Sequence, residues 1–434
     1  MAEMTKPIRF LIAGAGIAGL ATALAINRIS NLPNVDVQLF EKASVLTEIG
    51  ASIAISPNGM RTLGKLGVLN ALSDDIGYRG PSGIPQIYCH WKTNEVISVD
   101  VHRNVPDPCH HTTRFHRGHL HSALLQHVPR ERIHLRKAVS AMEIYPDKVV
   151  LSFGDGTVAE GDIVIGADGI RSKVRQSVIP EHRLEFTGKV FMRATFDASL
   201  VEGKIPGLPE DSTHWWGPND NFFASRLGKG QFTTVGAYED IRTSDEIENA
   251  ISWDDEGDIN FFREKFKNWN PIVRALTELT PSVRIFPNFA GNPLPTWVFG
   301  SRVTLVGDAA HTHGGAFAAG GSLALDDAFA LGLSLKHVFA SSSSDGEIFT
   351  RQAIQKALEL YDQTRRPHTT RLLNIIHGLI GRDTLSTATP QEAEARLLSK
   401  TVNRPDTSWL TEHDVEQEFE RVIRLASAVR QGTT

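Results

Sequence analysis

Cysteine is scarce in this chain of 434 residues, which contains only Cys89 and Cys109. Two thiols exclude a disulfide framework and a zinc site built from four thiolates, and they favour a reduced, intracellular setting. Runs of basic residues are missing too, and the formal net charge of -5 gives no support for capture of nucleic acid or of an anionic membrane. We therefore expect a cytoplasmic protein whose partner is a small molecule.

Long apolar runs are also rare. Residues 10–27 carry no charge and follow Lys6 and Arg9, which is the pattern of a signal peptide. Glycines at positions 14, 16 and 19 interrupt this segment at the spacing of a phosphate-binding turn, and we prefer the turn. No other segment has about 20 consecutive apolar residues, so no membrane span is expected.

The composition, with 41% hydrophobic and 22% charged residues, is typical of a folded globular protein. Residues 186–290 carry aromatic side chains spaced through short polar runs, which indicates an antiparallel sheet. Hydrophobic periodicity predicts a helix over 17–29, a long helix from Gly320, a helical stretch over 347–382 that bends at Pro367, and a helical tail from 390. It predicts strands over 8–12, 35–40, 132–139, 148–153, 162–166 and 302–307.

The first chemical signal is a glycine motif, Gly14-Ala15-Gly16-Ile17-Ala18-Gly19, between the first strand and the first helix. Glycines permit a tight turn and close approach of a pyrophosphate, while the helix N-terminus offers N–H groups and a positive dipole. Glu41 ends the second strand, where a carboxylate suits the hydroxyls of an adenosine ribose. The alternative is a glycine-rich turn in a packed helix–strand pair, but strand, helix and acid together favour a dinucleotide site.

Two later segments place an aspartate after a strand. Asp168 lies in DIVIGADGIRSKVR (162–175) and Asp308 in LVGDAAH (305–311). With the glycine motif, these segments make the sequence resemble the single-component flavin-dependent aromatic hydroxylases, such as salicylate and p-hydroxybenzoate hydroxylases, over residues 8–370. The resemblance implies that the glycine motif holds the FAD diphosphate, that Asp168 touches FAD and the nicotinamide cofactor, and that Asp308 binds the ribityl and diphosphate region. Alone, Asp308 also suits a helix cap.

Smaller matches extend the resemblance to the flavin ring. The segment 48–54 is similar to the family's loop under the isoalloxazine, and the helix start near 320 is similar to the one aimed at the flavin pyrimidine. Arg117, in HRGHL (116–120), matches an arginine that lies against the cofactor, although alone it is an ordinary solvated charge. The implied flavin neighbours are Gly50, Ala51, Ala54, Arg117, Gly320 and Gly321.

The sequence departs from the family after GDAAH, where THGGAFAAGG (312–321) has glycine in place of the usual proline. That loop faces the substrate in relatives, so substrate identity cannot be transferred from salicylate or p-hydroxybenzoate hydroxylase. The sequence of this loop resembles that of fungal hydroxylases that dearomatise polyketide-derived phenols.

Candidate substrate residues lie in the aromatic-rich region. Strand alternation places Phe191, Arg193 and Thr195 on one face, where a guanidinium beside aromatic rings suits a phenolate. The dearomatising relatives have a substrate-contacting arginine at the position of Arg193, whereas without them an exposed charge on an edge strand is as reasonable. His214 or His313 would move the phenol proton. The aromatic residues Trp215, Trp216, Phe222 and Phe223 line the same pocket or belong to the core.

The resemblance implies an FAD-dependent monooxygenase that consumes O2 and NADPH or NADH and hydroxylates a phenol through a flavin C4a-hydroperoxide. Since the glycine motif serves FAD, the nicotinamide cofactor binds transiently. Two rivals remain: a flavin-dependent dehydrogenase, oxidase or reductase with the same FAD residues, and a nonenzymatic dinucleotide-binding redox module. The histidines at 110, 111, 116, 119 and 121 lack the acid or cysteine pattern of a metal site, so no metal is predicted.

The fold implied is α/β, with a Rossmann-type FAD-binding domain, an inserted antiparallel-sheet substrate domain and a helical C-terminal region. Its expected boundaries are 1–75, 102–185 and 291–340 for the FAD-binding domain, 76–101 and 186–290 for the substrate domain, and 341–434 for the helical region.

Overall fold

The computed structural model describes residues 7–46, 51–340, 350–378, 380, 389–402 and 404–431. The strands of these residues, β1 to β20 in chain order, are Ile8–Ala13, Val35–Phe40, Ser52–Ile55, Gly77–Tyr78, Ile87–His90, Val96–Val99, Thr113–His116, Ile133–His134, Val139–Ile144, Val149–Phe153, Val158–Gly161, Ile163–Gly166, Leu184–Asp197, Thr213–Trp216, Asn221–Leu227, Gln231–Glu239, Asp255–Gly257, Val283–Gly291, Val298–Phe299 and Val303–Leu305. The α-helices, α1 to α13, are Ile17–Arg28, Pro57–Lys65, Arg117–Leu125, Lys173–Val178, Ser244–Ala250, Ile259–Phe266, Pro271–Leu279, Asp308–His311, Gly320–Ala340, Arg351–His377, Pro390–Val402, Ser408–Thr411 and Val415–Gln431.

A mainly parallel sheet forms the nucleotide-binding half of the molecule. Its strand order is β19-β20-β12-β1-β2-β8, and β19 is the antiparallel member. The last four residues of β1 and all of β12 are buried, as expected for parallel strands covered on both faces. Parallel strands end at one edge, so the residues that follow β1, β2, β12 and β20 meet there. These are the glycine motif, Glu41, Asp168 and Asp308.

An eight-stranded sheet forms the second half, in the order β17-β18-β13-β16-β15-β14-β5-β6. Its pairs are antiparallel except for β14 and β5, which are parallel. One face is packed against α6 and α7, where Met192, Trp215 and Phe222 join the rings of Phe262 and Phe266 in a buried cluster. The other face, which we call the cleft face, turns toward the small sheet β3-β7-β4, where Thr233 forms a hydrogen bond with Ser52 and Arg114 is stacked over Phe223.

Helices of the C-terminal region pack on the nucleotide-binding half. Residues of α9, α10 and α13 share one hydrophobic core with β1 and α1. Pro367 lies inside α10, and the connector expected at 341–346 lies outside the described residues. No helix in the described part of the chain combines the length and the apolar character that crossing a bilayer requires.

One strand prediction is wrong. The segment 132–139 is not a single strand, because it contains the whole of the two-residue strand β8 and only the first residue of β9. Arg136 has a positive φ of 57°, which turns the chain between them. Strand β8 therefore joins the parallel sheet beside β2, while β9 pairs with β10 in a separate three-stranded sheet.

Candidate active site

The glycine turn after β1 leaves no space for a side chain at Gly14 or Gly19. Gly14 has a φ of +102°, and a Cβ there would lie 2.4 Å from the carbonyl oxygen of Ala167. A Cβ at Gly19 would lie 2.0 Å from the carbonyl oxygen of Gly14. Gly16 is the N-cap of α1, and no side chain of the described residues caps this helix. Its first-turn N–H groups are thus available to an anion, which fits the predicted diphosphate site.

Glu41 lies at the mouth of this turn. Its carboxylate accepts hydrogen bonds from the N–H groups of Ala15, at 3.0 Å, and Ala43, at 2.9 Å. The same side chain therefore shapes the glycine turn in addition to its predicted contact with a ribose.

Asp168 organises the start of α4. Its carboxylate accepts hydrogen bonds from the hydroxyl of Ser172, at 2.5 Å, and from the N–H of Lys173, at 2.7 Å. Arg175, which sequence analysis did not include in the site, then donates to the carbonyl oxygens of Asp308, at 3.1 Å, and Ala309, at 2.9 Å. The two aspartate motifs are thereby tied together through one arginine.

Asp308 presents an open carboxylate. It is the first residue of α8 and exposed, and its side chain does not cap the helix. Within the described residues no donor forms a hydrogen bond to its carboxylate, so the capping alternative is wrong. Burial lowers the pKa of Arg117, and the charges of Asp308 and Glu41 oppose this shift. A Cβ at Gly16 would lie 3.9 Å from Nη2 of Arg117, which places this cation between the glycine turn and Asp308.

The predicted flavin loop and helix start come together. The N–H of Arg117 donates to the carbonyl oxygen of Ala51 at 2.8 Å, and Ala54 pairs with Arg114 across β3 and β7. A Cβ at Gly321 would lie 2.7 Å from the side chains of Ile53 and Ile55, so the start of α9 packs directly on β3. Gly50 lies outside the described residues.

Arg193 is a half-buried cation, and among the described residues no carboxylate forms an ion pair with it. It lies on β13, an interior strand between β18 and β16, so the edge-strand alternative is wrong. Its guanidinium lies over the rings of Phe191, at 5.1 Å, and Phe286, at 5.2 Å, and its buried Nε has no hydrogen-bond partner. Burial lowers the pKa of Arg193 to about 10, so the side chain stays charged at neutral pH. A Cβ at Gly315 would lie 3.8 Å from its Nη2.

His313 lies on the same loop as Gly315 and is 3% exposed. Neither ring nitrogen has a hydrogen-bond partner in the part of the chain that the structure describes, and a Cβ at Gly320 would lie 3.2 Å from Nε2. Burial lowers the pKa of His313, although the charge of Asp308 opposes the shift. A neutral imidazole is therefore held between the Asp308 carboxylate and the start of α9.

His214 shares a sheet face with Arg193 but not its immediate surroundings. Strand register aligns His214 with Phe223, Phe223 with Val235, and Val235 with Arg193. Three inter-strand steps separate the two by about 14 Å. His214 is hydrogen-bonded through Nε2 to Asn221 at 3.0 Å, and burial lowers its pKa to about 4.

The aromatic residues divide between the two predicted places. Trp215 and Phe222 are fully buried against α6 and α7, where they belong to the core. Trp216 and Phe223 lie on the same face of the sheet as His214, since their ring centroids lie 6.1 and 6.0 Å from that of His214.

Comparison with known proteins decides the family. The model of the family described as FAD binding domain matches residues 8–375. The chain belongs to this family. It is 30% identical to salicylate hydroxylase of Pseudomonas putida over 85% of this chain and 83% of that protein. It is 27% identical to 6-hydroxynicotinate 3-monooxygenase of Bordetella bronchiseptica over 86% of this chain and 91% of that protein. The structure of a salicylate hydroxylase substrate complex has a TM-score of 0.75 over 96% of this chain and 98% of the other, at 22% identity.

These relatives confirm the prediction of an FAD-dependent aromatic monooxygenase, and the predicted α/β fold is confirmed with it. FAD and NAD(P)H are its cofactors. The residues present fit FAD, because Gly14 and Gly19 leave no space for a Cβ in the turn, and no donor among the described residues bonds to the Asp308 carboxylate.

A buried ion network supports the FAD-binding monooxygenase site from behind. Asp327 on α9 accepts hydrogen bonds from the Gly307 N–H, at 2.9 Å, from Nε2 of His311, at 2.6 Å, and from Nε of Arg365, at 2.9 Å. The side chains of His311, Asp327 and Arg365 are at most 1% exposed. This network fixes the backbone on both sides of Asp308. Sequence analysis missed it, although Asp326-Asp327 in an otherwise apolar helix was a usable signal.

The histidine-rich segment also holds a small cluster that sequence analysis overlooked. Ligand atoms of Asp107, Cys109 and His110 lie within 4.8 Å of one another. Asp107 is exposed and accepts a hydrogen bond from the Cys109 N–H at 2.9 Å. The acid and the thiol that seemed missing beside His110 are thus present within three residues.

Proposed function

We propose that this monooxygenase hydroxylates a phenol that binds as its phenolate against Arg193. The observation that carries the proposal is the half-buried guanidinium of Arg193 between Phe191 and Phe286, whose buried Nε has no hydrogen-bond partner among the described residues. A planar anion suits this place, because the guanidinium pairs with the oxyanion while the rings bound a flat slot. An uncharged substrate would leave the cation without compensation.

His313 is the proton acceptor of the proposal. A phenol must lose its proton for its ring carbon to become a strong nucleophile, and a neutral imidazole accepts it. His313 is neutral at pH 7 because burial lowers its pKa, and both nitrogens lack partners. His214 is the weaker candidate, since Asn221 engages its Nε2 and about 14 Å separates it from Arg193.

The cofactor residues divide the remaining work. Bound FAD supplies the activation of O2, with electrons from NADPH or NADH. The glycine motif and Arg117 hold its diphosphate end, and Asp308 accepts hydrogen bonds from its ribityl hydroxyls. The N-terminus of α9, at Gly320 and Gly321, offers a positive dipole to the flavin pyrimidine. Phe191 and Phe286 exclude water from the reacting ring.

We further propose that the substrate is polyketide-derived and that hydroxylation dearomatises it. The support is the glycine-rich loop 312–321, which resembles the text of dearomatising fungal hydroxylases. Oxygenation of a ring carbon that carries an alkyl group removes aromaticity, because that carbon has neither a hydrogen nor a carboxylate that could leave and restore the ring.

The test is product analysis with isotopically labelled O2. Purified holoenzyme, with NADPH or NADH, is offered resorcinol aldehydes, orcinol acids and salicylates. We expect one labelled oxygen atom in the product of at least one phenol, with loss of aromatic absorbance. Consumption of NAD(P)H that yields hydrogen peroxide alone with every phenol would contradict the proposal, and a labelled product that keeps its aromatic absorbance would contradict the dearomatising part.

Coupling of NAD(P)H use to hydroxylation is expected to depend on Gly315. This residue has a φ of +65°, and a Cβ there would lie 3.8 Å from Nη2 of Arg193. Valine strains such a backbone and shifts the loop that faces the phenolate. We expect Gly315→Val to retain FAD and to raise the peroxide released per NAD(P)H severalfold.

Gly230→Val is the matched control. Gly230 also has a φ of +65°, but a Cβ there would meet nothing within 4 Å. It reproduces the backbone strain in a distant turn. Equal peroxide yields from the two variants would show that strain, and not the shape of the substrate loop, causes the uncoupling.

A further inference from the structure

A second half-buried guanidinium, that of Arg114, reaches the same cleft face as Arg193. Arg114 lies on β7 of the nucleotide-binding half and is stacked over the ring of Phe223 at 5.1 Å. Phe223 lies in register with Val235, and Val235 with Arg193. Two inter-strand steps therefore separate Arg193 from the ring beneath Arg114, which is about 10 Å.

The partners of Arg114 are all neutral. Its Nε donates to the hydroxyl of Ser212 at 3.2 Å, and its Nη2 donates to Oε1 of Gln86, at 2.8 Å, and to the carbonyl oxygen of Pro85, at 3.1 Å. Within the described residues its Nη1 donates no hydrogen bond and no carboxylate forms an ion pair with it. One donor of a half-buried cation on the cleft face is thus free.

The carboxylate that favours the charged form of Arg114, that of Asp100, already has an ion-pair partner. Asp100 favours the charged form of Arg114, but its carboxylate forms an ion pair with Arg404 at 2.5 Å and accepts a hydrogen bond from the Tyr88 hydroxyl at 3.0 Å. Burial lowers the pKa of Arg114 to about 10, so it stays protonated at neutral pH. Among the described residues, the cleft face therefore carries two guanidinium groups that form no ion pair with a carboxylate, those of Arg193 and Arg114.

His214 completes the surroundings of Arg114. Its ring lies 6.0 Å from that of Phe223, which Arg114 covers, and Arg114 contributes to keeping it neutral. Tyr88 and Trp216 stand beside it, with ring centroids 5.7 and 6.1 Å away. This end of the cleft face thus combines Arg114, one neutral imidazole, two aromatic rings and a second cation, Arg404, which lies 3.8 Å over the Tyr88 ring and is paired with Asp100.

We infer that Arg114 and His214 form a second substrate subsite, which binds a carboxylate at the end of the substrate remote from the reacting phenol. The inference rests on the proposed function, because Arg193 holds the phenolate end. The substrate class is then an extended phenol with an acidic side chain, since a small phenol spans one cation only. A carboxylate satisfies the free donor of Arg114 and compensates a charge that the fold leaves unpaired.

The test compares two ligands that differ only at one end. Pentylresorcinol ends in a methyl group, and dihydroxyphenylpentanoic acid has a carboxylate in that place. Their dissociation constants for the FAD-loaded enzyme are measured from the change in flavin absorbance. We expect the acid to bind at least about tenfold more tightly than pentylresorcinol, which is the value of one charged hydrogen bond. An equal affinity, or no binding of either ligand, overturns the inference.

Variants assign the preference to Arg114. Arg114→Gln is expected to abolish the preference for the acid and to leave the affinity for pentylresorcinol within about twofold, while Arg114→Lys retains part of it because the charge remains. Arg226→Gln is the matched control, since Arg226 lies on β15 but is paired with Glu202 at 2.8 Å. A preference that survives in Arg114→Gln overturns the inference. If Arg114→Gln lacks FAD or fails to fold, the soluble Arg114→Lys decides alone, and an undiminished preference there overturns it.

The proposed function fails in a different way. Arg193→Ala should weaken the binding of both ligands by a similar factor, because both have the same phenol ring. If Arg193→Ala leaves both affinities unchanged, the phenolate anchor is wrong. If only the Arg114 variants lack an effect, the phenolate anchor stands and the second subsite is wrong.

Discussion

Arg193→Ala is expected to lower the rate of phenol hydroxylation by roughly a hundredfold or more, with normal FAD content. Removing a half-buried charge that stabilises the phenolate costs about 2 to 4 kcal/mol of transition-state stabilisation, comparable to the loss of one oxyanion donor. FAD should stay bound, because Arg193 lies on strand β13 of the eight-stranded sheet and not at the glycine turn. The measurement is turnover with a phenolic substrate, alongside the flavin absorbance of the purified variant.

Two companion variants separate charge from packing. Arg193→Lys keeps the positive charge but loses the planar fork between Phe191 and Phe286, so it should recover only part of the activity. Arg284→Gln removes the arginine on β18 that lies opposite Arg193 in the strand register. The guanidinium of Arg284 already forms an ion pair with Asp254 at 3.1 Å. The activity of this variant should stay near that of the wild type. Hydroxylation by Arg193→Ala at a near wild-type rate would place the anchor elsewhere.

The cofactor end of the site was predictable from sequence for a geometric reason. Parallel strands place their carboxyl ends at one edge, so residues distant in the chain meet there without any knowledge of side-chain packing. Gly14, Glu41, Asp168 and Asp308 each follow such a strand. Their local patterns therefore sufficed to predict the edge at which they meet.

The substrate end depends on strand order and register, which local patterns do not encode. Nothing near His214 in the sequence indicates that β15 and β16 lie between it and Arg193. Arg114 lies at the cleft face because β7 packs against β15 of the other half, where the Arg114 guanidinium is stacked over the ring of Phe223. The same limit explains the error at 132–139, where the chain turns at Arg136, which has a positive φ, between two strands that belong to different sheets.

Buried polar networks are the second class that sequence reasoning missed. Asp327 bonds to Gly307 and His311 on one side and to Arg365 on the other, which lies 38 residues further along the chain. The aspartate pair Asp326-Asp327 in a mostly apolar helix indicates buried partners but does not identify them. The partner follows only once α9 and α10 are packed together.

Asp308→Ala is expected to weaken FAD binding by about tenfold or more without lowering the stability of the FAD-free protein. The reason is the open carboxylate: in the described fold no donor bonds to it, so the ligand alone loses a charged acceptor. FAD affinity is measured by titration of the apoprotein, and stability by thermal unfolding with and without FAD. The unfolding temperature of the apoprotein should stay close to that of the wild type, while its increase on addition of FAD should shrink.

Asp168→Ala provides the opposite case. Its carboxylate holds the first turn of α4 through Ser172, Lys173 and Val174. Loss of this cap should lower the stability of the apoprotein itself, by about 1 to 2 kcal/mol. The contrast between two aspartates at the same sheet edge distinguishes a side chain that the fold uses from one that it reserves for a ligand. If Asp308→Ala destabilises the apoprotein as much as Asp168→Ala and binds FAD normally, Asp308 is a structural residue and the FAD contact assigned to it is wrong.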